Sequence, residues 1–306
     1  MANRLFKAIF AKRSFMHKAG FVNIIGKPNA GKSTLMNALT GEKLSIVSPK
    51  VQTTRHRIIS ILNSDDYQIV FSDTPGIIDP VYKMQECMMT FVNDAIKDAD
   101  VIIYLTDPSE NPEKDAIPGS ITKTSCPIIL AMNKIDTKSQ EEIEALLKLW
   151  KKILPGAELM AISALHHFNM DSIINLIVKL LPENPPYYDK DTLTDRSTRF
   201  FVNEIIREKI LLYYHKEIPY SVEVEVDEFI EEKEITKISA MIFVTRESQK
   251  GIIIGEGGRA LKKVGTEARK DIEKFLNTKV FLQLIVKVQK NWRDNTTLLK
   301  KFGYTN

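Results

Sequence analysis

The chain has 306 residues, a length that suggests about two domains, and its 43% hydrophobic and 27% charged residues are those of an ordinary protein able to bury a core. No apolar run approaches the length of a membrane-spanning helix. The two cysteines, Cys87 and Cys126, form neither a disulfide framework nor a metal-ligand spacing, which points to a reducing compartment. The net charge of +4 hides an uneven distribution: residues 1–19 carry +5, residues 20–196 carry −5, and residues 197–306 carry +4. Within the last block, residues 204–234 carry −6 and residues 246–306 carry +8, the footprint of a polyanion site.

Residues 1–19 bring Arg4, Lys7, Lys12, Arg13 and Lys18 with no acid, interleaved with apolar residues. That pattern fits a disordered basic arm, a membrane-surface helix or an organelle transit peptide, and Met16 is an alternative start. The apolar run 21–25 then leads into Gly26-Lys27-Pro28-Asn29-Ala30-Gly31-Lys32-Ser33 and a helical pattern opening at Thr34. Strand, glycine-bounded loop, then helix is the context in which G-x-x-x-x-G-K-S cradles phosphates. Backbone N–H groups and the helix N-terminus face the phosphate oxygens. Lys32 would reach the β- and γ-phosphates, and the Ser33 hydroxyl would bind Mg²⁺.

Residues 44–57 read as an extended polar loop carrying Thr53 and Thr54. Two β-type runs, 57–63 and 67–72, are joined by the turn Ser64-Asp65-Asp66, and the second ends in Asp73-Thr74-Pro75-Gly76. A strand that delivers an aspartate to the sheet's carboxyl edge supplies a Mg²⁺ shell, and the Gly76 N–H can sense a γ-phosphate.

Alternation continues with a helix over 84–97, a strand over 101–105, a poorly defined segment over 107–120 and a strand over 127–132 that ends in Asn133-Lys134-Ile135-Asp136. A helix (141–154), a strand (158–162) ending in Ser163-Ala164-Leu165, and a helix (170–181) follow. The pattern implies right-handed crossovers and a mostly parallel sheet. Asp136 offers an acceptor pair for the N1–H and N2–H₂ edge of guanine, Lys134 can lay its stem over the base, and the Ala164 N–H can face O6. Adenine would strand these buried groups, an error worth a factor of about 10⁴ or more in comparable discrimination. The first domain is therefore expected to bind GTP and GDP.

Ile77 follows Gly76 where many switch proteins carry a water-orienting glutamine. Hydrolysis is then expected to be slow or to rest on other groups: Lys32, Thr54, Gly76 and Asn29. With backbone carbonyls of residues 44–53, Asn29 is a candidate K⁺ ligand against the phosphates, in place of an arginine finger. The alternative role for Asn29 is shaping the turn.

A proline-rich stretch, Pro182-Glu183-Asn184-Pro185-Pro186, opens a semi-stiff linker over 183–196. The second domain, 197–291, reads as helix (to about 214), two strands (220–229 and 235–245), a helix, the loop Ile254-Gly255-Glu256-Gly257-Gly258, a helix (259–277) and a strand (280–288). Ile-Ile-Gly-x-x-Gly between two helices is the loop of a KH domain, over which a single-stranded backbone passes. Lys250, Arg259, Lys262 and Lys263 flank it, while the acidic Glu256 inside it throws electrostatic affinity onto those flanks. Residues 292–306 form a C-terminal tail in which Trp292 and Tyr304 either stack on bases or pack.

Taken together, residues 26–37, the run Gln52-Thr53-Thr54-Arg55-His56-Arg57-Ile58, residues 73–76, 133–136 and 194–209, Pro219-Tyr220-Ser221, and residues 254–271 make the chain resemble the bacterial Era family from about Lys18 onward. The resemblance implies a P-loop GTPase over 20–182, with a Ras-like, mostly parallel α/β sheet and helices on both faces. A smaller α+β type II KH domain follows. It implies a ribosome assembly factor, expected as a monomer, that hydrolyses GTP, binds the 3′ end of 16S rRNA and promotes 30S subunit maturation. It further implies a cytoplasmic protein loosely associated with the inner membrane surface. By the same resemblance Thr53 or Thr54 would join Ser33 and Asp73 around Mg²⁺. An RNA-binding module with a hydrolytically inactive nucleotide domain, and a tRNA-modification GTPase, are the rival readings. Intact Lys32, Ser33, Asp73 and Asp136 speak against the first, and no cysteine-dependent or cofactor-binding domain supports the second.

Overall fold

The computed structural model describes residues 17–113 and 117–305, so Arg4, Lys7, Lys12 and Arg13 of the basic arm lie outside it. The first strand, β1 (Lys18–Gly26), is almost unbroken buried chain, as a strand covered on both faces requires. Helix α1 (Lys32–Thr40) follows, then the antiparallel hairpin of β2 (Ile58–Asn63) and β3 (Tyr67–Asp73). Next come α2 (Lys83–Lys97), β4 (Val101–Thr106), β5 (Ile128–Met132), α3 (Gln140–Ile153), β6 (Glu158–Ala161) and α4 (Met170–Leu180). The six strands lie in the order β2-β3-β1-β4-β5-β6, parallel except for β2.

Period-2 alternation sorts the side chains of this sheet onto two faces. Val22, Ile24 and Ile103 pack with Leu35 and Met36 of α1 and with Ile173 and Ile177 of α4. Ile25, Ile102 and Tyr104 pack on the other side with Val92 and Ile96 of α2 and Trp150 of α3. Helices on both faces leave the strands' carboxyl ends as the edge where loops collect. A helical turn, Gly119–Thr122, seats Ile121 in the core within the segment read as poorly defined.

The linker is seated along the β2–β3 hairpin. Tyr187 and Tyr188 donate their N–H groups to Gln68 Oε1 at 2.7 and 3.0 Å, and Ile61 donates to the Leu193 carbonyl at 2.9 Å.

The second domain begins with α5 (Thr198–Tyr213), whose first turn is capped by Ser197. The strands β7 (Glu223–Glu231) and β8 (Ile235–Val244) run antiparallel; α6 (Glu247–Ile254) and α7 (Arg259–Leu276) then lead to β9 (Lys279–Val288), parallel to β8. This is the α-β-β-α-α-β order read from the sequence. Val202, Ile206 and Ile210 of α5 and Val264, Ala268 and Ile272 of α7 cover the sheet's apolar face.

Beyond β9 the tail folds back. Trp292, Leu299 of α8 (Thr296–Lys301) and Tyr304 are buried against Met84 and Met88 of α2. Packing, and not base stacking, accounts for Trp292 and Tyr304.

Candidate nucleotide site and nucleic-acid groove

The ends of β1, β3, β5 and β6 converge on one cleft of about 750 Å³. At its phosphate end Lys32 is buried, its ammonium donating to the carbonyls of Gly26 (3.1 Å) and Lys27 (2.8 Å). Burial pulls its pKa down to about 8, against the raising effect of Asp73 and Glu110. Gly31 sits at φ 99°, and a Cβ there would run into the Asn133 side chain, so both conformation and space demand glycine. Pro28 and Asn29 line the cleft, with Asn29 also left-handed at φ 63°; Ala30 is buried behind them and Thr34 lines the wall beyond. Thr74 bonds the Ile24 carbonyl at 2.8 Å, Pro75 is buried and Gly76 closes against Pro28, so this loop lies on the phosphate loop. Ile77 donates its N–H to the Gly26 carbonyl at 3.1 Å and places no polar side chain here.

Beside Lys32 three oxygens meet. Ser33 Oγ donates to Asp73 Oδ2 at 2.7 Å, Thr54 Oγ1 donates to the same oxygen at 3.1 Å, and the two hydroxyls stand 2.9 Å apart. The Thr53 hydroxyl turns away, donating to the Lys50 carbonyl at 2.5 Å. Of the doublet, therefore, Thr54 faces the carboxylate. Asp73 Oδ1 is buried with no hydrogen-bond partner among the described residues. Burial raises its pKa, only partly offset by Ser33 and Lys32. A hard cation would relieve both, and an oxygen-only donor set suits Mg²⁺. No cluster of three or more His, Cys, Asp or Glu side chains able to hold a metal occurs among the described residues.

At the far end Ser163 donates to Asp136 Oδ1 at 2.6 Å, and this bond holds the carboxyl below its usual range. Lys134, left-handed at φ 58°, donates to the Asn29 carbonyl (2.6 Å) and to Asp107 Oδ2 (2.8 Å). Asn133 acts as a staple: its amide donates to the Ala30 carbonyl and its oxygen accepts from the Ala164 N–H, both at 2.9 Å. The Ala164 N–H, expected to face O6, is thus engaged by Asn133; exposed Leu165 forms the cleft wall beyond it. Sequence reading missed Asp107, although it follows β4 at the same sheet edge that had singled out Asp73 and Asn133.

In the second domain α6 carries Lys250 and Ile254, then breaks at Gly255 (φ 71°, ψ 175°). Residues Glu256–Gly258 form one tight turn before Arg259 opens α7, with Gly257 and Gly258 at φ 57° and 76°. Glu256 is exposed and paired with Arg259 at 3.4 Å, so the loop's acid is partly neutralised within its own turn. Lys262 faces a shallow groove of about 350 Å³ between α7 and β9. Leu261 and Gly265 of the helix and Leu282 and Leu284 of the edge strand give it an apolar floor, with Thr266 and Arg269 along its rim. These floor residues are not evident in the loop motif. Lys263 lies elsewhere, its ammonium 4.3 Å over the Tyr213 ring.

The family model described as a 50S ribosome-binding GTPase matches residues 21–134, and that described as a KH domain matches residues 217–293. GTPase Era of Thermoanaerobacter pseudethanolicus is 46% identical over 292 residues, which cover 94% of this chain and 97% of that protein. GTPase Era of Clostridium kluyveri is also 46% identical, over 94% of this chain and 100% of its own. Among solved structures, Era in complex with MgGDPNP and nucleotides 1506-1542 of 16S ribosomal RNA is similar with a TM-score of 0.90 and 36% identity, covering 95% of this chain and 100% of that one. An Aquifex aeolicus Era variant bound to GDP and AlF₄⁻ gives a TM-score of 0.90 at 36% identity, with 94% and 100% covered. This chain therefore belongs to the family of GTPase Era, a P-loop GTPase continued by a KH domain.

Proposed function

We propose that the chain binds GTP with Mg²⁺ in the cleft, hydrolyses it, and binds the 3′ region of 16S rRNA along the α6–α7 loop and the α7–β9 groove, promoting maturation of the 30S subunit. The single observation that carries this reading is the polarity of the cleft. A carboxylate oriented by Ser163 stands at one end, and a buried lysine beside a hydroxyl–carboxylate set stands at the other. A guanine base and a metal-bound triphosphate match those two ends. Ser33 and Thr54 would hold Mg²⁺ with Asp73 behind them, and the ion supplies charge neutralisation at the phosphates. Lys32 binds the same phosphates, and the Gly76 N–H orients the terminal one.

Asn29, at the cleft wall, would ligand K⁺ in place of a glutamine or arginine finger. Equal hydrolysis rates in K⁺ and Na⁺ would remove that ion from the scheme. For the RNA, Gly255 to Gly258 let a backbone approach, while Lys250, Ile254, Arg259 and Lys262 contact it and the groove floor takes splayed bases. The Glu256–Arg259 pair lowers the loop's own attraction, so the basic flank dominates affinity. The family's cytoplasmic setting, loose contact with the inner membrane and a monomeric state complete the reading.

Crosslinking to total RNA with and without a non-hydrolysable GTP analogue tests it directly. The expected result is 3′-terminal 16S rRNA, enriched by the analogue. Equal affinity for ATP and GTP, or no enrichment of 16S rRNA in any nucleotide state, would overturn the reading.

A further inference from the structure

The loop that carries Thr54 is fastened mainly to the second domain. No backbone–backbone hydrogen bond fixes Thr53 or Thr54 among the described residues; the Thr53 carbonyl takes its hydrogen bond from Arg207 of α5, at 2.6 Å. Arg207 is almost wholly buried and is itself held by Glu204, Nε to Oε1 at 2.7 Å. Next in the loop, Arg55 is buried in the second domain. Its guanidinium donates to the carbonyls of Val222 (2.6 Å) and Pro219 (2.9 Å) and pairs with Glu223 at 3.2 Å. The tail completes the set, because Tyr304 donates to the same Glu223 oxygen at 2.7 Å and stacks 4.5 Å from the His56 ring. Lys50 donates to the carbonyl of Leu211 in the last turn of α5 and to that of Tyr214 just beyond it.

We propose that Arg207 is a positioning residue for the GTPase site: by gripping the Thr53 carbonyl from the second domain it turns the Thr54 hydroxyl toward Ser33 and Asp73. This deepens the proposed function and rests on its assignment of Thr54 to the metal. Arg207 bonds the carbonyl of the Thr53–Thr54 peptide, and the Thr54 side chain that follows it meets Ser33 and Asp73. One charge-assisted hydrogen bond therefore sets the plane that aims the hydroxyl. Arg207 is paired with Glu204 of its own helix, so its grip on the Thr53 carbonyl needs no acid from the first domain. Linkage then runs both ways: whatever holds Thr54 at the metal favours the docked domains, and docking tightens the metal.

The test is the Mg²⁺ dependence of dissociation of a fluorescent GTP analogue from the full-length chain. Arg207→Gln is expected to raise the Mg²⁺ concentration that half-slows release by about tenfold, the usual weight of an outer-shell partner. Release without Mg²⁺ should stay unchanged, because the phosphate loop and Asp136 are untouched. Arg207→Lys, which can still reach the carbonyl with one donor, should recover most of the effect. Arg55→Ala, which removes the second domain's hold on the residue next to Thr54, is the second variant and should show the same shift. An unshifted Mg²⁺ midpoint in folded Arg207→Gln and Arg55→Ala, or a change of equal size with and without Mg²⁺, overturns the proposal. No RNA enters the measurement, so failure here is distinguishable from failure of RNA binding.

Discussion

Asp107 Oδ2 stands 2.8 Å from the Lys134 ammonium and ties the lysine proposed to cover the base to the end of β4. Burial opposes charge on Asp107, yet bonds from Lys134 and Ser109 hold its carboxyl below the usual range. The tether stretches Lys134 across the cleft to the Asn29 carbonyl and so joins the base end to the phosphate loop.

Asp107→Asn should therefore weaken GDP and GTP binding alike, by about tenfold, the weight of one charge-assisted hydrogen bond. Preference for guanine over adenine should survive, since Asp136 is untouched. Titrating GDP, GTP and ATP into the variant checks both statements. A loss confined to GTP would assign Asp107 to the phosphate end instead.

Ser163→Ala tests the other side of the base site. The Ser163 hydroxyl stabilises only the ionised form of Asp136, which is why that carboxyl titrates below the ordinary range. Guanine binding needs the carboxylate, so affinity is present above the Asp136 pKa and lost as pH falls through it. Removing the hydroxyl moves that loss to higher pH. Nucleotide affinity followed from about pH 6 down to about pH 3, through and below the ordinary aspartate range, should fall earlier in the variant than in the parent.

Much of this was legible in the chain because its signals are local. Strand, loop and helix around Gly26–Ser33, and the α-β-β-α-α-β order of the second half, follow from periodicity and glycine placement. What stayed hidden depends on contacts between residues far apart in sequence. The Asn133 staple reaches Ala30, Arg207 reaches Thr53, and Tyr304 reaches Glu223; no local pattern records any of these pairs. The Thr53–Thr54 choice was open for the same reason. Two adjacent threonines have identical local chemistry, and their different partners, Asp73 for Thr54 and Lys50 for Thr53, appear only in the folded loop.

In the α7–β9 groove proposed to take RNA, a Cβ at Gly265 would lie 3.3 Å from Leu284 Cδ1, so any larger side chain fills the space between α7 and β9. Gly265→Leu should reduce affinity for a 3′-terminal 16S strand by at least about tenfold, the loss of roughly one seated base. Its salt dependence should stay the same. Lys262→Ala should do the reverse, reducing the slope of log affinity against log salt by about 1 with a modest loss at low salt. Fluorescence anisotropy with one oligonucleotide across a salt series separates the two.

The proposed metal set yields the sharpest contrast, because two neighbouring side chains of one type face opposite ways. The Thr54 hydroxyl shares the Asp73 oxygen with Ser33, while that of Thr53 closes a turn onto Lys50. Thr54→Ala removes one of the oxygens that would meet Mg²⁺ and leaves the phosphate loop whole. It should raise the Mg²⁺ requirement of GTP-analogue binding by about tenfold to a hundredfold. Thr53→Ala removes a local hydrogen bond worth about 1 kcal/mol but keeps the backbone carbonyl that Arg207 grips, so its Mg²⁺ requirement should stay within about threefold of the parent. Chelating Mg²⁺ with EDTA should then erase the difference between Thr54→Ala and the parent, since both would bind through the phosphate loop and Asp136 alone. If Thr53→Ala instead shows the larger shift, the loop must turn its other face to the nucleotide, and the Arg207 contact cannot persist in that state.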